Sequence, residues 1–186
     1  VLLRGPAFPQ GFDKAGIDFA TMMRAFLRAD PDVIMVGEMR DHETVSVGIE
    51  ASLTGHLVFS TLHTNDSASA VTRLIDMGIE PFLVTSSVNA ILAQRLVRRL
   101  CPACRREAAL TGREADWLGQ PALAGRPAWT ASPDGCSECL GGYKGRTGIH
   151  ELLAVTPAVS EAIRSAVPSA ELRRLAAADG FRDMLA

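Results

Sequence analysis

Apolar positions along the chain change period several times, and each change predicts an element. Val33, Ile34, Met35 and Val36 form an unbroken apolar run ahead of Gly37 and Glu38, and Leu57, Val58 and Phe59 form a second ahead of Ser60, Thr61 and His63. Short runs of this kind read as strands. When they deliver charged or hydrogen-bonding groups at their C-terminal ends, they fit the parallel sheets of nucleotide enzymes. Strands are therefore expected over Val33 to Val36 and Leu57 to Thr61.

Between these runs the period turns helical. Asp18 is placed to cap a helix carrying Phe19, Met22, Met23, Phe26 and Leu27, which Asp30-Pro31 ends because the residue before proline avoids the α region. Asp41 is an N-cap for a helix through Val45, Val47, Ile49 and Leu53, stopped by Gly55. Asp66 caps a helix carrying Ala70, Val71, Leu74 and Ile75, closed by Gly78, and Pro81 opens another expected to reach about Ala93. Helices alternating with strands in this way predict an α/β chain with a parallel sheet.

The alternation stops at Cys101. A stretch rich in Pro, Gly and Ala, holding both tryptophans, runs from there to Cys139. A strand-like Gly148 to Leu153 follows, then helices from about Pro157 to Ala166 and Ser169 to Ala178. Residues 1–16, with Gly5, Pro6, Pro9, Gly11 and Gly16, read as loop or edge structure. The expected organisation is a core over 1–100, a lobe over 101–139, and a C-terminal strand and helices over 140–186.

Length and composition narrow this further. The 186 residues, 47% hydrophobic and 22% charged, make at most two compact units. With 5% aromatic residues, the core has to rest on aliphatic side chains, and Met22, Met23, Met35, Met39 and Met77 read as core filler. A formal charge of -2 gives no whole-molecule attraction for nucleic acid or anionic lipid. Arg95, Arg98, Arg99, Arg105 and Arg106 form a basic stretch without interleaved aromatics, which reads as a solvated face or subunit contact before a nucleic-acid patch. No stretch approaches the roughly 20 apolar residues that span a bilayer, and the start lacks an export signal, so a cytoplasmic location is expected.

Candidate chemistry clusters at three places. Glu38, at the end of the first run, suits ordering of a magnesium shell or polarising an attacking water in phosphoryl transfer, ahead of the plainer reading as a turn glutamate pairing with Arg40 or a helix N-terminus. His63, beyond the second run among Ser60, Thr61, Thr64 and Asn65, suits hydrogen bonding to a phosphate. His56 precedes its run and so belongs nearer the opposite edge. Cys101-Pro102-Ala103-Cys104 and Cys136-Ser137-Glu138-Cys139 supply the four thiolates of a tetrahedral Zn²⁺ site. His42 and His150 have no partner pattern and Asp32 reads as a turn residue.

These residues resemble a known family. Gly16 to Asp32, Val36-Gly37-Glu38-Met39-Arg40-Asp41, Thr54-Gly55-His56 through His63-Thr64-Asn65, Leu74 to Gly78, Ala93 to Leu96, both cysteine pairs and Tyr143 to Gly148 are similar to the secretion ATPases of type II secretion and type IV pilus assembly. The resemblance implies a RecA-like P-loop NTPase core and a homo-hexameric ring. It further implies ATP turnover with Mg²⁺ that drives a pseudopilus or pilus through inner-membrane platform proteins, with the ring held peripherally to that membrane and no nucleic-acid partner. Glu38 matches the family's Walker B acid, and His56 and His63 its His box. The cysteine pairs, with Leu74 to Gly78, Ala93 to Leu96 and Tyr143 to Gly148, look most like the general-secretion branch, since pilus retraction ATPases typically lack the cysteines; a pilus assembly ATPase is the alternative.

One departure stands out. No G-x-x-x-x-G-K-[ST] phosphate loop occurs among the 186 residues. The chain is therefore expected to be a fragment, inactive alone, with Walker A supplied from elsewhere. Two other classes remain open from the residues: a zinc-ribbon module binding nucleic acid through its arginines, and a metal hydrolase using Glu38, His56 and His63 as ligands.

Overall fold

The computed structural model describes residues 19–29 and 31–185. The expectations for residues 1–16, Asp18 and Asp30 lie outside them. The chain divides into two compact units. The first joins the described residues up to Leu92 with Leu152–Phe181, and the second is Ala93–Glu151 with the described part of 182–186.

In the first unit, α1 (Phe19–Leu27) leads to β1 (Val33–Val36), α2 (His42–Leu53), β2 (Leu57–Ser60), α3 (Ser67–Asp76) and α4 (Pro81–Ser87). β1 and β2 are parallel, pairing Val33 with Leu57 and Val36 with Ser60. This is the expected crossover, strand to helix to strand. Asp41 and Asp66 act as N-caps as expected, their carboxylates accepting the Thr44 and Ser69 N–H groups at 2.8 Å each.

Glycine closes both helices. Gly55 and Gly78 adopt φ of 102° and 90°. Their N–H groups reach Ser52 O and Ile75 O, while His56 and Ile79 N–H reach Ala51 O and Leu74 O, which makes each ending a Schellman motif.

The core joins these helices to α6 (Pro157–Arg164) and α7 (Ser169–Ala178). Val45, Ile49, Val71, Leu74, Val84, Leu153, Val159, Ile163 and Leu172 are buried in one cluster. A second cluster packs Ile34 and Val36 of β1 against Val47 and Ala51 of α2. The other face of β1 and β2 is exposed: Met35 is 78% accessible, Phe59 54% and Leu57 46%. Met35 is therefore not core filler. Among the described residues β1 has one strand neighbour and its buried face packs on α2, so alternation sends Met35 to the other face.

The second unit contains most of β3 (Ala90–Leu100) and β6 (Tyr143–Ala154), which pair with each other, and between them β4 (Arg106–Ala109), α5 (Gly112–Trp117) and β5 (Pro127–Thr130). β4 and β5 are antiparallel. The helix expected from Pro81 to about Ala93 ends instead at Ser87. Thr85, Ser86 and Ser87 hydroxyls donate back to Phe82 and Leu83 carbonyls at 2.6–3.0 Å, and Val88 turns extended, so the helical ladder gives way before Asn89. Among the described residues no helix is long and apolar enough to cross a membrane.

Candidate functional site

Parallel pairing of β1 and β2 brings their C-terminal ends level, and the chain continues the alignment past both strands. Met39 N–H donates to Thr61 O at 3.1 Å, and the Thr61 hydroxyl donates to Gly37 O at 2.6 Å. Glu38 and His63 are thereby placed face to face. His63 Nε2 stands 2.7 Å from Glu38 Oε1, and Arg40 Nη2 stands 2.6 Å from Glu38 Oε2. Both carboxylate oxygens are engaged.

The electrostatics follow from these interactions. The Arg40 hydrogen bond is the largest influence on Glu38 and holds its carboxyl below the usual range; partial burial opposes this, and the charges of Arg40 and His63 add to the lowering. Glu38 is thus a firm anion, with Arg40 raised in turn by the same bond. An anionic acceptor beside an imidazole and a guanidinium at a strand edge suits an incoming water and a phosphate.

His56 is not part of this group. It precedes β2, whose four residues span about 13 Å, so it lies at the opposite strand edge. Its Nδ1 is 3.0 Å from Ala51 O and 3.1 Å from Thr54 Oγ1, where it reinforces the C-terminal cap of α2. Glu38, His56 and His63 therefore do not gather around a metal. Among the described residues, the one cluster of three or more candidate ligands is that of the cysteines.

Cys101, Cys104, Cys136 and Cys139 are free thiols whose sulfurs lie within 4.8 Å of one another. The Sγ pairs 101–136, 104–139 and 136–139 are 3.8, 3.6 and 3.7 Å apart. Zn–S bonds of about 2.3 Å in a tetrahedron require S···S edges of about 3.8 Å, so the donor set fits a closed four-thiolate zinc site. The separations are far beyond the roughly 2.05 Å of a disulfide.

Burial pushes the Cys104 thiol up to about 12, with its neighbours' thiols adding to the rise. Burial also opposes ionisation of Cys139. There the Cys136 N–H at 3.3 Å and adjacent thiols prevail, and bring it down to about 7. One thiolate held by its neighbours' protons is what a cation replaces.

The Glu38–Arg40 pair matches the pairing the sequence offered for that glutamate, and Thr61 is one of the hydroxyls noted around His63. Arg40 lies two positions past Glu38, on the same side of an extended segment, and that spacing was a usable signal. The basic stretch differs from expectation: Arg98 stacks on Tyr143 at 3.8 Å and Arg105 on Trp129 at 4.2 Å, so aromatics from distant sequence occupy two of its guanidinium groups.

Comparison with known proteins gives the chain's family. The family model described as "Type II/IV secretion system protein" matches residues 6–186. The chain is 51% identical over 174 residues to type II secretion system protein E of Aeromonas hydrophila, covering 93% of this chain and 34% of that protein. It is 46% identical to the type IV pilus assembly ATPase PilB of Myxococcus xanthus, covering 89% and 30%. Among solved structures, the pilus retraction motor PilT with bound ADP matches with a TM-score of 0.56 and 29% identity, over 87% of this chain and 35% of PilT. The chain thus spans about a third of the length of the relatives it matches. With the match covering nearly all of its residues, the chain belongs to the type II/IV secretion system protein family.

Proposed function

We propose that this chain is the Walker B and His-box portion of an ATP-hydrolysing motor of type II secretion. In this reading the phosphate loop is supplied by other parts of a longer RecA-like polypeptide, and the subunits assemble as a homo-hexamer on an inner-membrane platform. The observation that carries the reading is the 2.7 Å approach of His63 to Glu38 at the ends of parallel strands. Glu38 accepts a hydrogen bond from the attacking water and holds it in line, and His63 offers an N–H toward phosphate oxygens. Mg²⁺ bound with the nucleotide would neutralise charge on the β- and γ-oxygens. His56 supports the site indirectly, by ending α2 where β2 must begin.

The secretion branch is preferred to pilus assembly. Proteins named for type II secretion reach 49–53% identity where the two named PilB reach 46%. The four cysteines are read as a structural zinc site, with Cys101, Cys104, Cys136 and Cys139 as its complete ligand set.

The test is Glu38→Gln in the intact ATPase that carries this chain. The amide keeps the size but loses the anion. Turnover is expected to fall about 10²- to 10⁴-fold with the melting temperature nearly unchanged; turnover near the parent rate would end the assignment.

A further inference from the structure

His63 stands in the connection from β2 to α3, and the chain is pinned on both sides of it. Upstream, Thr61 is tied to Gly37 and Met39. Downstream, Asp66 makes three contacts of 2.8 Å: Oδ1 accepts the Ser69 N–H, and Oδ2 accepts the Ser69 hydroxyl and faces Arg173 Nη2. Arg173 belongs to α7. The helix that bears it packs into the core shared with α3, where Leu172 and Ala176 join Val71 and Leu74. Both partners are shielded, with side chains 35% and 19% accessible, and Asp66 stays anionic: burial opposes ionisation, but the Ser69 bonds and Arg173 outweigh it.

Capping and ion pairing are separable here. The cap on α3 needs only an oxygen acceptor, which asparagine also provides. The grip of α7 on the loop needs the charge.

We propose that Arg173 is a positioning residue for His63. By holding Asp66, it fixes the downstream end of the loop and so sets where the imidazole stands against Glu38. α7 and the strand-end site are then coupled, and the coupling runs both ways: a ligand that shifts His63 alters the hold on α7. The proposal rests on the reading of Glu38 and His63 as the hydrolytic pair.

The test combines kinetics of the intact ATPase with ¹⁵N-histidine spectra of this chain, whose four histidines are assigned by substitution. Arg173→Ala is expected to lower kcat roughly 2- to 30-fold with KM for ATP nearly unchanged, and to shift the His63 imidazole signals. Asp66→Asn should reproduce both effects while keeping α3 capped. Arg173→Lys should restore most of the rate, and Asp66→Asn serves in place of Arg173→Ala if the alanine variant does not fold. A drop in melting temperature with kcat and the His63 signals unmoved would reduce Arg173 to a packing contact and overturn the proposal. Glu38→Gln run in parallel separates the two ideas: full turnover in that variant removes the hydrolytic reading, while the His63 signals still decide whether Arg173 positions the loop.

Discussion

The two units are held together by different means. The first buries a continuous aliphatic core in which Val45, Val84, Leu153 and Val159 are at most 1% accessible. The second, Ala93–Glu151, buries only Cys101 and Ala115 among its described apolar residues. A segment of that size with so small a core needs a staple, and the cysteine cluster has the donor set to supply one. The same contrast separates the proposed sites: the four cysteines could ligate a metal by themselves, whereas in the proposed reading Glu38 and His63 form one side of a site whose other groups come from elsewhere.

The largest effect that could break this comparison is loss of a thiolate. Cys101→Ser should abolish tight zinc binding, a term of about 10–16 kcal/mol for structural zinc. Amide exchange protection should collapse across residues 93–151 and persist in α2 and α6. Elemental analysis with exchange mass spectrometry checks it, and full protection without metal would show that the second unit has another source of stability.

Leu153→Ala should do the converse. Removing this side chain from the first core is expected to cost about 2–5 kcal/mol in denaturant unfolding while leaving zinc content at the parent level. Smaller still, Asp41→Ala removes the α2 cap and should cost about 1 kcal/mol. A shift in both units would mean that they unfold as one.

The finest probe is Arg40→Ala. Glu38's carboxyl is depressed in the folded chain, so its contribution to stability is complete above the ordinary carboxylate range and is lost as pH falls through the depressed value. Without Arg40 the depressed value rises toward the ordinary one, so the contribution should be smaller and fully lost at a higher pH, and the acid limb of turnover should move to higher pH too. Carboxyl NMR of Glu38 reads it directly; an unmoved titration would mean that Arg40 does not govern the acid.

Much of the first unit was legible because its signals are local. The apolar runs at Val33 and Leu57, the caps Asp41 and Asp66, and the stops Gly55 and Gly78 each act within a few residues. β3 was not. Ala90 to Leu100 is rich in Ala, Leu, Gln and Arg, all good helix formers, and it becomes a strand through pairing with β6, far away in sequence. The same is true of β4 and β5, which at four residues each are too short to carry a period and are strands through pairing with each other.

In the candidate site, the meeting of Glu38 and His63 followed from two strand ends of equal polarity. The distance of His56 from them followed from its place before β2. Arg173 was invisible, because its partner Asp66 lies more than a hundred positions away and nothing in a helix of charged and small residues marks one arginine above its neighbours.

The bare rear of β1 and β2 has a practical outcome. Met35, Leu57 and Phe59 make an oily plate on a sheet that has two strands among the described residues, a combination that recruits other molecules of the same kind. In a purified sample, crowding rather than heat would therefore set the shelf life of this chain, and a mild detergent or a cognate segment laid over the plate would extend it.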